Sequence, residues 1–140
     1  MADLHIEEFC HDTARVLLKL YRAFPRQATV YVEDICGPDQ PDEFGLHSDR
    51  FSACFGAMLW LAQEGYLRYE STIRQEAIDQ AVLSQMSMTL LSAPAGAAAD
   101  ATAGSAPTRA AALRHALQHG SSTALADRVQ QLLLDARSFR

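Results

Sequence analysis

Residues 50–74 read RFSACFGAMLWLAQEGYLRYESTIR, and the repeat of their apolar positions changes at Gly65. Before that glycine, Phe51, Cys54, Phe55, Met58, Leu61 and Ala62 recur three and four apart, which places them on one face of a helix over 50–64. Ser48 or Asp49 is its expected N-cap, and Gly65 stands where a left-handed C-cap favours glycine. After Gly65 the period falls to two. Leu67, Tyr69, Ser71 and Ile73 alternate with Tyr66, Arg68, Glu70, Thr72 and Arg74, the pattern of a strand. A polar turn near 74–77 then reverses the chain into a second strand over 78–83, without the Asn-Gly or Asp-Gly pair that would fix the register.

Working outward, Leu4, Phe9, Val16, Leu17, Leu20, Tyr21 and Phe24 predict a first helix over 4–24, with Asp3 as N-cap and Pro25 just beyond its end. The β-branched and aromatic run 28–32 predicts a short strand, 33–36 one helical turn, and the Pro- and Gly-containing stretch 37–47 a loop. On the far side of the hairpin, 85–91 predicts a short helix burying Met86, Leu90 and Leu91. Residues 93–107 contain no large apolar side chain and read as an Ala/Gly/Pro-rich flexible linker. Beyond it, 108–119 and 123–137 predict two helices broken at Gly120-Ser121-Ser122. These helices carry Leu113, Leu117, Leu125, Val129, Leu132 and Leu133, too little to form a core alone, so they must dock on the preceding domain, on a twin chain or on a partner. The expected organisation is α+β: a domain over 1–92, the linker, and a C-terminal helical segment over 108–140.

At 140 residues the chain has room for one modest core. Its hydrophobic fraction of 49% with 21% charged residues is that of an ordinary globular protein. The acidic start lacks the features of a secretory signal and no apolar run is long enough to span a bilayer, so the expectation is a cytoplasmic protein with no membrane role. Cys10, Cys36 and Cys54 are odd in number and form no Cys-x-x-Cys pair, which predicts reduced thiols. Net charge is −5, but residues 1–92 hold seven Lys/Arg against fourteen Asp/Glu and residues 93–140 hold five against three. The main domain is therefore acidic, which disfavours the cation-driven affinity that nucleic-acid binding requires.

The order helix, strand, one-turn helix, long helix, hairpin and closing helix resembles the winged-helix (winged helix-turn-helix) superfamily, in a bacterial-type branch. Leu59-Trp60-Leu61-Ala62-Gln63-Glu64-Gly65-Tyr66-Leu67 looks like the end of a winged-helix recognition helix entering the first wing strand. Ala81-Val82-Leu83-Ser84-Gln85-Met86-Ser87 resembles the wing exit, where many members have Leu-Thr-x-Lys-Gly and this chain has Ser84, Met86 and Ser87 instead. The resemblance covers about residues 10–92. It implies that helix 48–64 would enter the DNA major groove and that wing 71–79 would approach the backbone, with Arg50, Arg74 and Gln75 as contacts. The exposed side of that helix offers Ser52, Ala53, Gly56 and Ala57 instead of cations, and the wing's Arg74 and Gln75 are offset by Glu76 and Asp79. Small residues admit a second backbone closely, so this face suits a protein partner or homodimer, or tight packing within the same chain. A dimer gathering Arg22, Arg26, Arg50 and Arg74 on one face would restore the DNA reading.

Other constellations carry less. His115 and His119, four apart, share a helix face as zinc ligands can, but no further ligand completes the set. Cys10 and His11 are neighbours that point about a hundred degrees apart on a helix. Asp39, Asp42 and Glu43 crowd one loop without the alternating ligand spacing of an EF-hand; they read as a solvated acidic loop or a docking surface for a basic partner. No phosphate loop, nucleophile elbow or triad spacing is present. The sequence thus predicts a noncatalytic binding module needing no cofactor or metal.

Overall fold

A computed structural model describes residues 3–95 and 107–139 of the chain. Those residues form a mixed α+β fold with six α-helices and one small antiparallel sheet of four strands.

Helix α1 (Leu4–Ala23) is the centre of the molecule. Asp12, Thr13, Ala14, Val16, Leu17, Leu18 and Leu20 are all buried, which spans far more of the helix than one amphipathic stripe. The expected stripe began at Leu4, which is 70% exposed. Strand β1 (Ala28–Tyr31) runs directly into α2 (Val32–Cys36), so Val32 starts the helix where the sequence had it ending the strand.

Helix α3 (Asp49–Gln63) follows the loop, and the Ser48 hydroxyl accepts the Phe51 N–H at 3.2 Å, making Ser48 the cap. Gly65 has φ +86°, the left-handed conformation its position called for. The strand expected over 67–73 is two short pieces, β2 (Leu67–Arg68) and β3 (Ser71–Ile73), with a break at Tyr69-Glu70. Strand β4 (Ala77–Leu83) pairs antiparallel with both and, along its other edge, with β1. The reversal is a tight turn in which the Glu76 N–H donates to the Ile73 carbonyl at 3.0 Å, with Arg74 at φ 53°. Gln80 has φ 54° where pairing with β1 skips a residue, the mark of a β-bulge.

Helix α4 (Gln85–Ser92) is capped by Ser84 and buries Leu90 and Leu91. Helices α5 (Arg109–His119) and α6 (Ser122–Ala136) are capped by Thr108 and Ser121, and a 3-10 turn, Arg137–Phe139, follows. Of the three docking places open to these helices, the structure selects the preceding domain. Helix α6 lies along α1, and α5 packs on α1, α4 and α6. Leu113, Leu125, Val129 and Leu132 join the same core as Leu17, Leu61 and Ile78, which explains why α1 is buried nearly all round. The described residues on either side of 96–106 meet. Arg109 N–H donates to the Ala93 carbonyl at 2.8 Å and Ala95 N–H to the Pro107 carbonyl at 2.9 Å. The rest of the expected linker, 96–106, lies outside the described residues. Among the described residues no helix is long and apolar enough to cross a membrane.

Candidate functional site

The exposed line of α3 is Asp49, Ser52, Ala53, Gly56, Trp60 and Gln63, residues three and four apart that form one continuous helix face. Three of the four small residues singled out in the sequence therefore share a surface. Ala57 does not: it is 4% exposed and faces the core, and this corrects its place among the contact candidates. An alanine's size and polarity do not decide its side; Ala57 is turned inward because it lies beside Cys54, Met58 and Leu61 on the buried face.

Gly56 separates the two readings of the small-residue face. A Cβ built on it would meet no atom within 4 Å among the described residues, and its φ is not positive. Glycine inside a helix is destabilising by roughly 1 kcal/mol relative to alanine, and among the described residues no close approach offsets that. Intrachain packing accounts for Ala57 and leaves Gly56 unexplained.

One turn beyond Gly56 the face reaches aromatic surface. Trp60 is 38% exposed, with its ring edge-on to Phe9 at 5.3 Å and roughly parallel to Tyr66 at 6.2 Å. These rings form one wall of a groove of about 520 Å³ whose other wall is Leu133 and Leu134 of α6, with Glu64 and Arg137 also in its lining. Leu134 is 55% exposed. Sequence reasoning missed this groove; the legible signal was Trp60 continuing the Ser52, Gly56 spacing.

Arg50, the cation expected to touch DNA, is committed elsewhere. Its two terminal nitrogens donate to both carboxylate oxygens of Asp12 at 2.7 Å, and its Nε lies 3.2 Å from Glu8. Asp12 is 1% exposed. Burial alone would raise its carboxyl, but the hydrogen bonds and charges of Arg50 and His11 outweigh that and hold it below the ordinary value. The pair in turn raises the Arg50 guanidinium. Arg50 is thus a structural tie between α1 and α3, a correction to its candidacy as a groove contact. Arg74 and Gln75 are exposed at the hairpin turn, and of their acidic neighbours Asp79 accepts the Thr29 hydroxyl at 2.6 Å.

Glu76 belongs to a second tie that the sequence did not reveal. His47 lies with Nδ1 3.0 Å from Asp39 and Nε2 3.2 Å from Glu76, its ring stacked on Phe51 with centroids 3.9 Å apart. Hydrogen bonds from the Ser48 side chain and backbone, together with His47, hold the Asp39 carboxyl below the usual range. Asp42 folds its own loop, accepting the N–H groups of Phe44 and Leu46 at 2.9 Å each. Two of the three acidic loop residues are therefore internal fasteners; Glu43 faces solvent.

The histidines of α5, His115 and His119, are exposed with ring centroids 5.1 Å apart. Among the described residues no group of three or more His, Cys, Asp or Glu side chains is placed to hold a metal ion. Cys10 is buried, its thiol pushed up to about 11 chiefly by burial and then by Glu7 and Asp127; His11 turns to Asp12 at 3.1 Å. Comparison with protein-family models, with curated proteins and with solved structures finds no match for this chain.

Proposed function

We propose that this chain is a noncatalytic winged-helix module that makes a protein–protein contact through the exposed face of α3, with a second copy of itself as the partner that fits best. The observation that carries the reading is Gly56: a mid-helix glycine, exposed, with no neighbour among the described residues to make room for. Ser52, Ala53 and Gly56 let a second helix approach closely, and Trp60 at the end of the strip supplies an aromatic anchor of the kind that dominates interface energetics. The strip between Asp49 and Gln63 bears no charge. On a chain of net charge −5, that is where two copies meet with least repulsion. The order of elements and the antiparallel β1-β4-β2 sheet support the winged-helix assignment.

The alternative, a DNA-binding regulator using α3 and the wing, keeps Arg74 and Gln75 but loses Arg50 to Asp12 and Glu8. Sedimentation across a concentration series separates the two. Gly56→Ala should stabilise the fold by about 0.5–1 kcal/mol through helix propensity while weakening self-association, and Gly56→Glu should abolish association in a folded chain. A monomer up to roughly 0.1 mM, where even weak dimers with ~6 kcal/mol of binding free energy are populated, or a dimer indifferent to both substitutions, removes the reading. Salt-dependent DNA binding that is lost on Arg74→Ala would favour the alternative.

A further inference from the structure

The chain is net negative, yet four of its cations converge on one depression. Arg15, Lys19 and Arg22 are spaced four and three apart on α1, which sets them on one helix face, and Arg114 lines the same depression from α5. Asp34 of α2 is the single carboxylate in the lining. Elsewhere the fold gives clustered arginines an acid: Arg50 has Asp12 and Glu8, and Arg109 has Asp135 at 3.0 Å. Here, among the described residues, none of the four cations forms an ion pair. Arg15 donates to the Asp34 backbone carbonyl at 3.2 Å, a contact that positions its guanidinium without neutralising it. Gathering like charges without counter-charge is unfavourable unless an anion joins them.

We infer that the depression between α1, α2 and α5 is a binding site for a small phosphorylated anion of the pyrophosphate type. Four cations against one carboxylate leave three positive charges, which matches about three negative charges on a diphosphate ester near neutral pH. The volume of about 320 Å³ lies at the lower end of the range for small-molecule sites, roughly 300–1,000 Å³. Leu18, Ile35 and Leu117 add an apolar portion to the lining, against which an organic substituent on the phosphate can pack. A nucleic-acid backbone fits less well: it favours cations strung along an extended face, whereas these line one depression, and the hairpin's Arg68 and Arg74 take no part in its lining. The inference is independent of the α3 surface, since no residue of α3 lines the hollow.

Titration calorimetry of the full chain with inorganic pyrophosphate tests it. At about 0.15 M sodium chloride, where exposed charges more than ~8 Å apart are largely screened, one saturable site is expected. Arg114→Gln or Lys19→Gln should weaken it about ten-fold or more, as expected for losing a charge-assisted hydrogen bond, and Arg68→Gln should leave it unchanged. If Lys19→Gln fails to fold, the exposed Arg22 replaced by Gln takes its place. The inference is overturned by the absence of saturable binding, by equal loss in Arg68→Gln, or by a single-stranded oligonucleotide that binds where pyrophosphate does not.

Discussion

Replacing Arg50 with alanine should destabilise the protein more than any other change to an arginine on its surface. The side chain is 30% exposed while its partner Asp12 is 1% exposed, so the two members of the pair are not equivalent. Without Arg50, Asp12 remains a buried carboxylate whose remaining hydrogen bond is from His11 at 3.1 Å. Breaking a buried pair in this way is destabilising by about 3–5 kcal/mol. At about 2.1 cal/mol/K per residue, this chain's unfolding entropy makes 1 kcal/mol worth roughly 3–4 °C, so the melting temperature should fall by roughly 10–17 °C. Asp12→Ala should be milder, at about 1–3 kcal/mol, because Arg50 keeps Glu8 and reaches water. The double variant should be less damaged than the sum of the two. Acid completes the test. Because the folded-state carboxyl of Asp12 is lowered, its contribution is present above the unfolded value near ~4 and is lost as pH falls through the lower folded value. Urea melts should then show wild-type stability declining more steeply below pH ~4 than that of Asp12→Ala. An Arg50→Ala chain within about 1 kcal/mol of wild type, the upper range for exposed ion pairs, or strictly additive singles would refute the pairing argument. It also follows that weaker DNA binding by Arg50→Ala says nothing about a DNA contact unless the folded fraction is measured alongside.

Two further outcomes are expected. Removing residues 107–140 strips Leu113, Leu125, Val129 and Leu132 from the core, about 1.5–3 kcal/mol each and together comparable to a domain's whole stability; a cooperative melt of the remaining fragment would contradict the shared core. Cys10 and Cys54 are buried and their thiols are raised chiefly by burial, so near neutral pH a disulfide reagent should reach half-buried Cys36 first and the other two only on unfolding; simultaneous modification of all three in the native protein would count against this packing.

Part of the local punctuation was legible: Ser48 and Gly65 do what their positions predicted, whereas the side chain of Asp3 makes no cap to α1 and the caps Ser84, Thr108 and Ser121 went unread. Ser48, Ser84, Thr108 and Ser121 each cap a helix, and Gly65 takes positive φ, because capping and left-handed turns are decided by a side chain and the backbone within three residues of it. The change of period at Gly65 therefore located a helix and a hairpin correctly. Reading failed where spatial context decides. The alternation over 67–73 looked like one strand; the register against β4 does run through, and the Glu70 N–H donates to the Asp79 carbonyl at 3.0 Å, but the extended strand is interrupted at Tyr69-Glu70. Leu4 matched the helical period and is 70% exposed, because no other element among the described residues covers that side of the first turn of α1.

The type and order of most elements, the acidic balance of the main domain and the cation-poor face of α3 could be read along the chain, because neighbouring residues or simple counts carry them. The folded core sets which of two alanines four apart is exposed. It also decides that Arg50 closes on an aspartate 38 positions away, that the C-terminal helices complete the core around α1, and that Arg114 joins three cations nearly a hundred residues earlier in the chain. Such pairings depend on which apolar faces bury one another when the chain closes, a property of the whole core that no window of sequence contains.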